Sequence, residues 1–219
     1  MTDAYGQQTT FDDSSDYNRE SFVIDQKLKK IRTGVPVKVV AVNGGGVGKP
    51  PTVDVIPTAN MTDGQGNATK HLTIFAIPVA RVQGGGNAVI VDPVVGDYGI
   101  MLVSDRDISA IKANSGAQSN PGSFRHHSLA DGVYVGAILN SATPTQYVQF
   151  TSSGIVLHDK NGNVVQTDSS GVEITATTVK INGALQVTGE VTGGYGTGDS
   201  VTLTQHVHPA NDAPPTPGT

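Results

Sequence analysis

The sequence predicts an all-β protein, with a small barrel in its N-terminal half and a rod of short strands in its C-terminal half. Glycine is frequent, at 27 of 219 residues, whereas tryptophan is absent and only 5% of the residues are aromatic. Runs of β-branched residues alternate with glycine-rich stretches over much of the chain. This composition favours many short strands joined by turns over a helical bundle with a thick core.

One helix is predicted near the N-terminus, within an arm that covers residues 1–34. We expect the helix to span about 17–32, with Asp16 as its cap and basic residues in its last turn. Three apolar residues follow the spacing i, i+4, i+7 and form one stripe: Ile24, Leu28 and Ile31.

Residues 35–140 are predicted to form the barrel. Five β-branched runs separated by glycine-rich turns are its expected strands: VPVKVVAV (35–42), TVDVI (52–56), HLTIFAIPV (71–79), NAVIV (87–91) and YGIMLV (98–103). Five strands suit a small closed barrel, and an OB-like barrel fits best. A loop over 114–128 is then expected to lead to a further run, YVGAIL (134–139).

Residues 141–208 are predicted to form the rod. Their apolar residues are almost entirely Val, Ile and Leu in very short runs, and after Phe150 the only aromatic residue is Tyr195. One chain of such strands would form a thin sheet with nothing to bury it against. We therefore expect a homotrimer, in which three chains supply one another's cores as an intertwined β-helix or β-prism. The proline-rich tail, 209–219, cannot continue a sheet.

The distribution of charge and the absence of cysteine exclude several classes of function. Residues 1–125 hold 12 basic and 12 acidic side chains, whereas 126–219 hold two basic and seven acidic ones, which gives the net charge of −5. Neither half has the basic patch that nucleic-acid binding requires, and the acidic half disfavours binding to anionic lipid. Without cysteine, the chain has no disulfide, zinc–thiolate site or cysteine nucleophile.

The sequence predicts synthesis in the cytoplasm. The first twenty residues are polar and acidic and lack the apolar segment of a secretory signal. No apolar run approaches the roughly 20 residues that span a bilayer. If the protein acts outside the cell that makes it, we expect lysis or an assembled machine to deliver it.

Three motifs that resemble functional sites have simpler interpretations. GGGVGKP fails the phosphate-loop pattern, because Asn43 and Pro50 stand where glycine and Ser or Thr are needed. Asp105 and Asp107 flank Arg106, so local ion pairing is a better explanation than a catalytic carboxylate pair. The adjacent histidines 126 and 127 lie in a polar loop and are expected to be exposed. We therefore predict neither an enzyme nor a small-molecule substrate.

His206 and His208 are the candidate metal ligands. In extended backbone, residues i and i+2 project to the same face, so both imidazoles can reach one ion. Two histidines in a polar segment can also simply be solvated. Three chains meeting on an axis would supply six nitrogens, which is octahedral geometry. Because zinc prefers four ligands, such a site favours iron or another octahedral divalent ion.

Two segments together resemble a known family. They are PVVGDYGIMLVSDRDISAI (93–111) and the closing QHVHP, which follows a series of glycine-punctuated strands with few aromatic residues. In this order they are similar to the central, membrane-piercing baseplate spike of contractile-tailed bacteriophages. The resemblance covers roughly residues 20–210.

The resemblance implies a virion protein that acts mechanically. The OB-like domains of a homotrimer would dock on the baseplate hub, and the β-helical rod would point away from the tail. One iron ion at the apex would be bound by His206 and His208 of each subunit. Sheath contraction would then drive the rod through the host outer membrane.

Other classes of protein explain the sequence less well. A metal-dependent hydrolase that used His206 and His208 would also need an open coordination position and a nearby base. A receptor-binding fibre or carbohydrate-binding module usually presents aromatic platforms, and the distal half offers only Tyr147, Phe150 and Tyr195. The puncturing tip of a tailocin or secretion device remains an alternative that the sequence does not separate from a phage spike.

Overall fold

The computed structural model describes residues 8–196 and 201–203 of the chain. Strands predominate over helices, which confirms the predicted all-β class. The chain divides into two compact units, Met1–Ala142 and Thr143–Thr219.

The N-terminal helix, α1, spans Asp16–Leu28 and is shorter than predicted. Its cap is Ser15 rather than Asp16, because the Ser15 hydroxyl accepts a hydrogen bond from the backbone N–H of Asn18. The helix ends early because the N–H groups of Lys30 and Ile31 bond three residues back, which tightens the last turn.

A curled five-stranded sheet forms the centre of the first unit. Its strands are β1 (Gly34–Asn43), β2 (Thr52–Pro57), β5 (Ile74–Pro78), β8 (Tyr98–Val103) and β9 (Gly132–Ala137). They lie in the order β5-β2-β1-β8-β9, and each neighbouring pair is antiparallel. Two small hairpins accompany the sheet: β3 (Met61–Thr62) with β4 (Ala68–Thr69), and β6 (Val82–Gly84) with β7 (Asn87–Val89).

The hydrophobic core lies inside this curl. Alternate residues of the strands face inward, as the period of two requires. The fully buried apolar side chains are Val37, Val39, Val53, Val55, Ile77, Met101 and Tyr134. The Tyr134 ring lies where a Cβ atom on Gly99 would stand, so this strand position accepts only glycine without repacking. The first unit therefore has a core of its own.

The fifth strand of the sheet differs from the prediction. The run 87–91 was expected to be a barrel strand, but β7 pairs only with β6 across a two-residue glycine turn. Strand β9 takes the fifth place instead, beside β8. The reason is tertiary: β9 contributes Tyr134 to the core, whereas Val82 and Val89 of the hairpin are mostly exposed.

The two edges of the sheet meet at one point. Val79, directly after β5, forms a parallel bridge with Tyr134 of β9, and the N–H of Ala80 donates to the Tyr134 carbonyl over 2.7 Å. Between β8 and β9 lie a short helix, α2 (Ser109–Ala113), and a single 3-10 turn, Leu129–Asp131.

The second unit contains an antiparallel meander. Its strands are β10 (Tyr147–Phe150), β11 (Ile155–His158), β12 (Val164–Asp168) and β13 (Gly171–Thr175), and each pairs with the next. Two further short strands, β14 (Thr192–Gly193) and β15 (Val201–Thr202), form a hairpin. A single chain shows this meander, and the intertwined rod stays a prediction.

Candidate functional site

One face of the meander is almost entirely apolar. Directly paired residues in an antiparallel sheet project to the same side, so the register identifies the members of this face. One row pairs Val148, Leu157, Val165 and Ile174, and the next pairs Phe150, Ile155, Thr167 and Val172. We call these eight residues the apolar face. It carries no charged side chain.

The apolar face is exposed in the single chain. Phe150 is 78% exposed, Val172 69% and Val148 60%. Among the described residues from Thr143 onward, none is buried. Monomeric proteins rarely leave a contiguous apolar surface of this kind uncovered. Over the residues that the structure describes, the second unit therefore has no hydrophobic core of its own and leaves an apolar surface exposed.

The opposite face of the meander is more polar. It carries Gln149, Gln166 and Glu173 together with two apolar residues, Val156 and Val164. It also holds a stacked pair, Tyr147 and His158, whose ring centroids lie 5.1 Å apart. A charged carboxylate and two amides suit contact with water. The two faces therefore differ in their content of charged and amide side chains.

The predicted metal ligands, His206 and His208, lie outside the described residues. Within the ranges 8–196 and 201–203, the structure contains no group of three or more His, Cys, Asp or Glu side chains arranged to hold a metal ion. The iron site therefore stays a prediction from the sequence.

Asp107 takes part in a cluster built on two buried carboxylates rather than the expected local pair with Arg106. It is 3% exposed, and Asp131 is 1% exposed. The Arg125 guanidinium joins them: Nη2 lies 2.9 Å from Asp107 Oδ1, and Nε lies 2.6 Å from Asp131 Oδ2. Ser123 donates to Asp107 over 2.6 Å. We call these four residues the arginine clasp.

The clasp keeps both carboxylates ionised. Hydrogen bonds from Ser109 and Ser123 lower the pKa of Asp107 well below its ordinary value. The Arg125 hydrogen bond lowers the pKa of Asp131 and in turn raises the pKa of Arg125. Removing Arg125 would leave two buried carboxylates without their cation, which is costly. The clasp thus fixes the loop that connects α2 to β9.

Sequence reasoning did not find this cluster. Arg125 lies 18 residues from Asp107 and six from Asp131, in a loop without periodicity. No local pattern links positions at such spacings. Only the fold brings them together.

The two adjacent histidines differ from each other. His126 is exposed, as expected, but His127 is half-buried. Each ring makes a hydrogen bond through Nδ1 to a backbone carbonyl: His126 to Asp105 at 2.9 Å and His127 to Arg32 at 3.2 Å. These bonds connect the C-terminal part of the loop that the arginine clasp fixes to the backbone at Asp105 and Arg32.

The glycine-rich segment GGGVGK forms a loop held by an ion pair. Arg81 lies 3.2 Å from Asp92 and donates to the carbonyls of Gly46 and Gly48, and Asp92 accepts from the N–H of Gly46. The Arg81 side chain is 5% exposed. The loop's polar groups thus bond to this ion pair, and the glycines connect the paired strands β1 and β2.

Comparisons with known proteins give no family for this chain. No family model matches it, and no curated protein matches it either. Among the residues that the structure describes, no helix is long and apolar enough to cross a membrane.

Proposed function

We propose that this protein is the trimeric central spike of a contractile phage tail, which docks on the baseplate hub and pierces the host outer membrane. The observation that carries the proposal is the exposed apolar face on a unit in which none of the described residues is buried. Strands that cannot form a core alone are explained if three chains bury them together. A rod built from such strands is an elongated, hydrogen-bonded body suited to bearing load.

The occupant of the apolar face is, in this proposal, the same face of two other copies. The face has no charge, so three copies can approach one axis without repulsion. A partner needed for folding must be present whenever the chain is made, and another copy of the chain meets that condition. Glu173 and Gln166 on the opposite face would remain in water.

The first unit is proposed to dock on the hub. It has its own core, so it can fold without the contacts that the rod needs. The strand order and the parallel bridge between Val79 and Tyr134 support an OB-like barrel, because they bring the two sheet edges together as a five-stranded barrel would. The tip of the rod would hold one iron ion through His206 and His208 of each chain.

The trimer is tested by placing charge on the apolar face. Ile174→Asp would bring three carboxylates close to one axis in a dry interface, and the trimer should be lost because burying unpaired charge is far costlier than losing a methyl contact. Thr175→Asp is the matched control, since it adds the same charge one residue away on the opposite face. Native mass spectrometry measures both.

We expect a mass of three times 22.6 kDa for the natural protein and for Thr175→Asp. Ile174→Asp should give aggregated or monomeric chain. A stable, folded monomer of the natural sequence at 22.6 kDa would end the trimer proposal. Equal effects of Ile174→Asp and Thr175→Asp on the amount of trimer would end it as well.

A further inference from the structure

A cleft of about 370 Å³ lies beside the arginine clasp, in the first unit. Four side chains give it chemical character: Arg106, Phe124, Arg125 and His126; residues 120–123 complete its wall. The proposed spike function uses none of them. The cleft combines cationic donors with an aromatic ring, which is a combination common at protein recognition sites.

The polar side chains of the cleft have nitrogen atoms that the bonds described above do not use. The clasp uses Nε and Nη2 of Arg125, so Nη1 is the nitrogen that those bonds leave for another acceptor. Arg106 makes one loose ion pair, 3.8 Å from Asp105, with both side chains mostly exposed, and such pairs contribute little. His126 uses Nδ1 for the Asp105 carbonyl, which leaves Nε2.

Phe124 is fully exposed to solvent. Its side chain is 100% exposed, although both of its neighbours are fixed by the clasp through Ser123 and Arg125. A ring held out by an ordered backbone loses little conformational entropy when a partner covers it. Large apolar side chains presented in this way, next to arginine, are typical of residues that dominate binding energy at interfaces.

We propose that this cleft binds a single carboxylate flanked by an apolar side chain, carried on a segment of a partner protein. Arg106 and Arg125 Nη1 would donate to the carboxylate, and the apolar neighbour would cover Phe124. Charge-assisted hydrogen bonds of arginine to carboxylate are among the strongest available to side chains. This inference does not depend on the spike function.

The local charge favours one carboxylate over a phosphate. The cleft and its surroundings contain Arg32, Arg106, Lys112 and Arg125 against Asp105, Asp107 and Asp131, which leaves a net charge of only +1. A divalent phosphate group, or a polyanion, would meet three carboxylates with little excess of positive charge. A monovalent group beside an apolar surface matches both the charge and the exposed ring.

The test uses the full chain and two synthetic peptides, acetyl-Leu-Glu-Leu-amide and acetyl-Leu-Gln-Leu-amide, with inorganic phosphate as a third ligand. Saturation-transfer NMR and competition titrations measure their binding. The Glu peptide should bind about tenfold or more tightly than its Gln counterpart, because only the carboxylate gains the charge-assisted bonds. Phosphate should bind more weakly than the Glu peptide.

Two exposed positions are substituted, and Arg125 is left intact because its loss would uncouple two buried carboxylates. Phe124→Ala and Arg106→Gln should each weaken binding of the Glu peptide by about tenfold without lowering the melting temperature. Arg19→Gln, in α1, is the matched control and should change nothing. Equal affinity for the two peptides, tighter binding of phosphate, no binding of either peptide, or full binding by Phe124→Ala would each overturn the proposal.

Discussion

Asp159 shows how one side chain determines a turn. Its Oδ1 accepts from the N–H groups of Asn161 and Asn163 over 2.8 and 2.9 Å, and its Oδ2 accepts from Asn163 Nδ2 over 2.8 Å. Asp63 makes the same bonds to Gln65 and Asn67 in the other unit. Both segments read D-x-x-G-N, so the same five-residue pattern produces the same turn twice.

The ionised form of Asp159 should be the one that stabilises its turn. Hydrogen bonds from the Asn163 side chain and backbone lower the pKa of Asp159 to about 2. A carboxylate whose pKa is lowered by folding contributes stability above its unfolded pKa of about 4, and that stability is lost as the pH falls toward 2. Asp159→Ala should therefore lower the melting temperature by a few degrees at pH 7, measured by circular dichroism.

Lys160→Ala is the control for this turn, because position 160 has no required side chain in the D-x-x-G-N pattern. Its melting temperature should match that of the natural protein at every pH. The difference in melting temperature between Asp159→Ala and the natural protein should shrink as the pH approaches 2. A difference that stays constant across this range would show that the carboxylate's charge does not stabilise the turn.

At the scale of elements, the loop between β1 and β2 depends on the absence of a side chain. Gly45 has a φ of +121°, and a Cβ atom there would lie 2.6 Å from Asp92 Oδ2. Gly45→Ala should both strain the backbone and displace the carboxylate that pairs with Arg81. We expect a loss of about 1–3 kcal/mol in the free energy of unfolding, measured by urea denaturation.

Gly48 in the same loop provides the matched control. A Cβ atom at this position would have nothing within 4 Å, and the backbone there is not left-handed. Gly48→Ala should change the free energy of unfolding by less than about 0.5 kcal/mol. If the two substitutions lower the free energy of unfolding equally, the loop does not depend on the absence of a side chain at Gly45.

At the scale of the whole molecule, the spike proposal predicts the metal content of the protein. The tip of a rod has the fewest neighbours and frays first, so six histidine nitrogens from three chains would stabilise the proposed spike where burial is smallest. Untagged protein should contain one iron per three chains by elemental analysis. The double substitution of His206 and His208 with Ala should remove the metal and leave the trimer intact, whereas His71→Ala should retain it.

Purification must avoid nickel resin, because affinity for divalent ions rises toward nickel and copper in an undiscriminating site. A metal content near zero would contradict the iron site. One metal ion in every chain would contradict it as well, since the geometry requires three chains for each ion.

The sequence by itself determined the all-β class and the positions of most strands. The period-two runs at 35–42, 52–56 and 98–103 became β1, β2 and β8, because alternation of apolar residues is a local property that the chain carries with it. The turn at Asp159 is local in the same sense, since its hydrogen bonds span only four residues. The aromatic-poor composition after residue 150 also predicted that the second unit would lack a core, and none of its described residues is buried.

Only the tertiary structure decided which strands pair and which charges meet. It placed β9 rather than the run 87–91 in the central sheet, because Tyr134 fills the core. It joined Arg125 to Asp107 and Asp131, and Arg81 to the glycine-rich loop. Such contacts depend on how distant segments pack, and no local periodicity encodes them. The identity of the residues on the apolar face likewise required the register, since a shift of one residue would reverse the two sides of every strand.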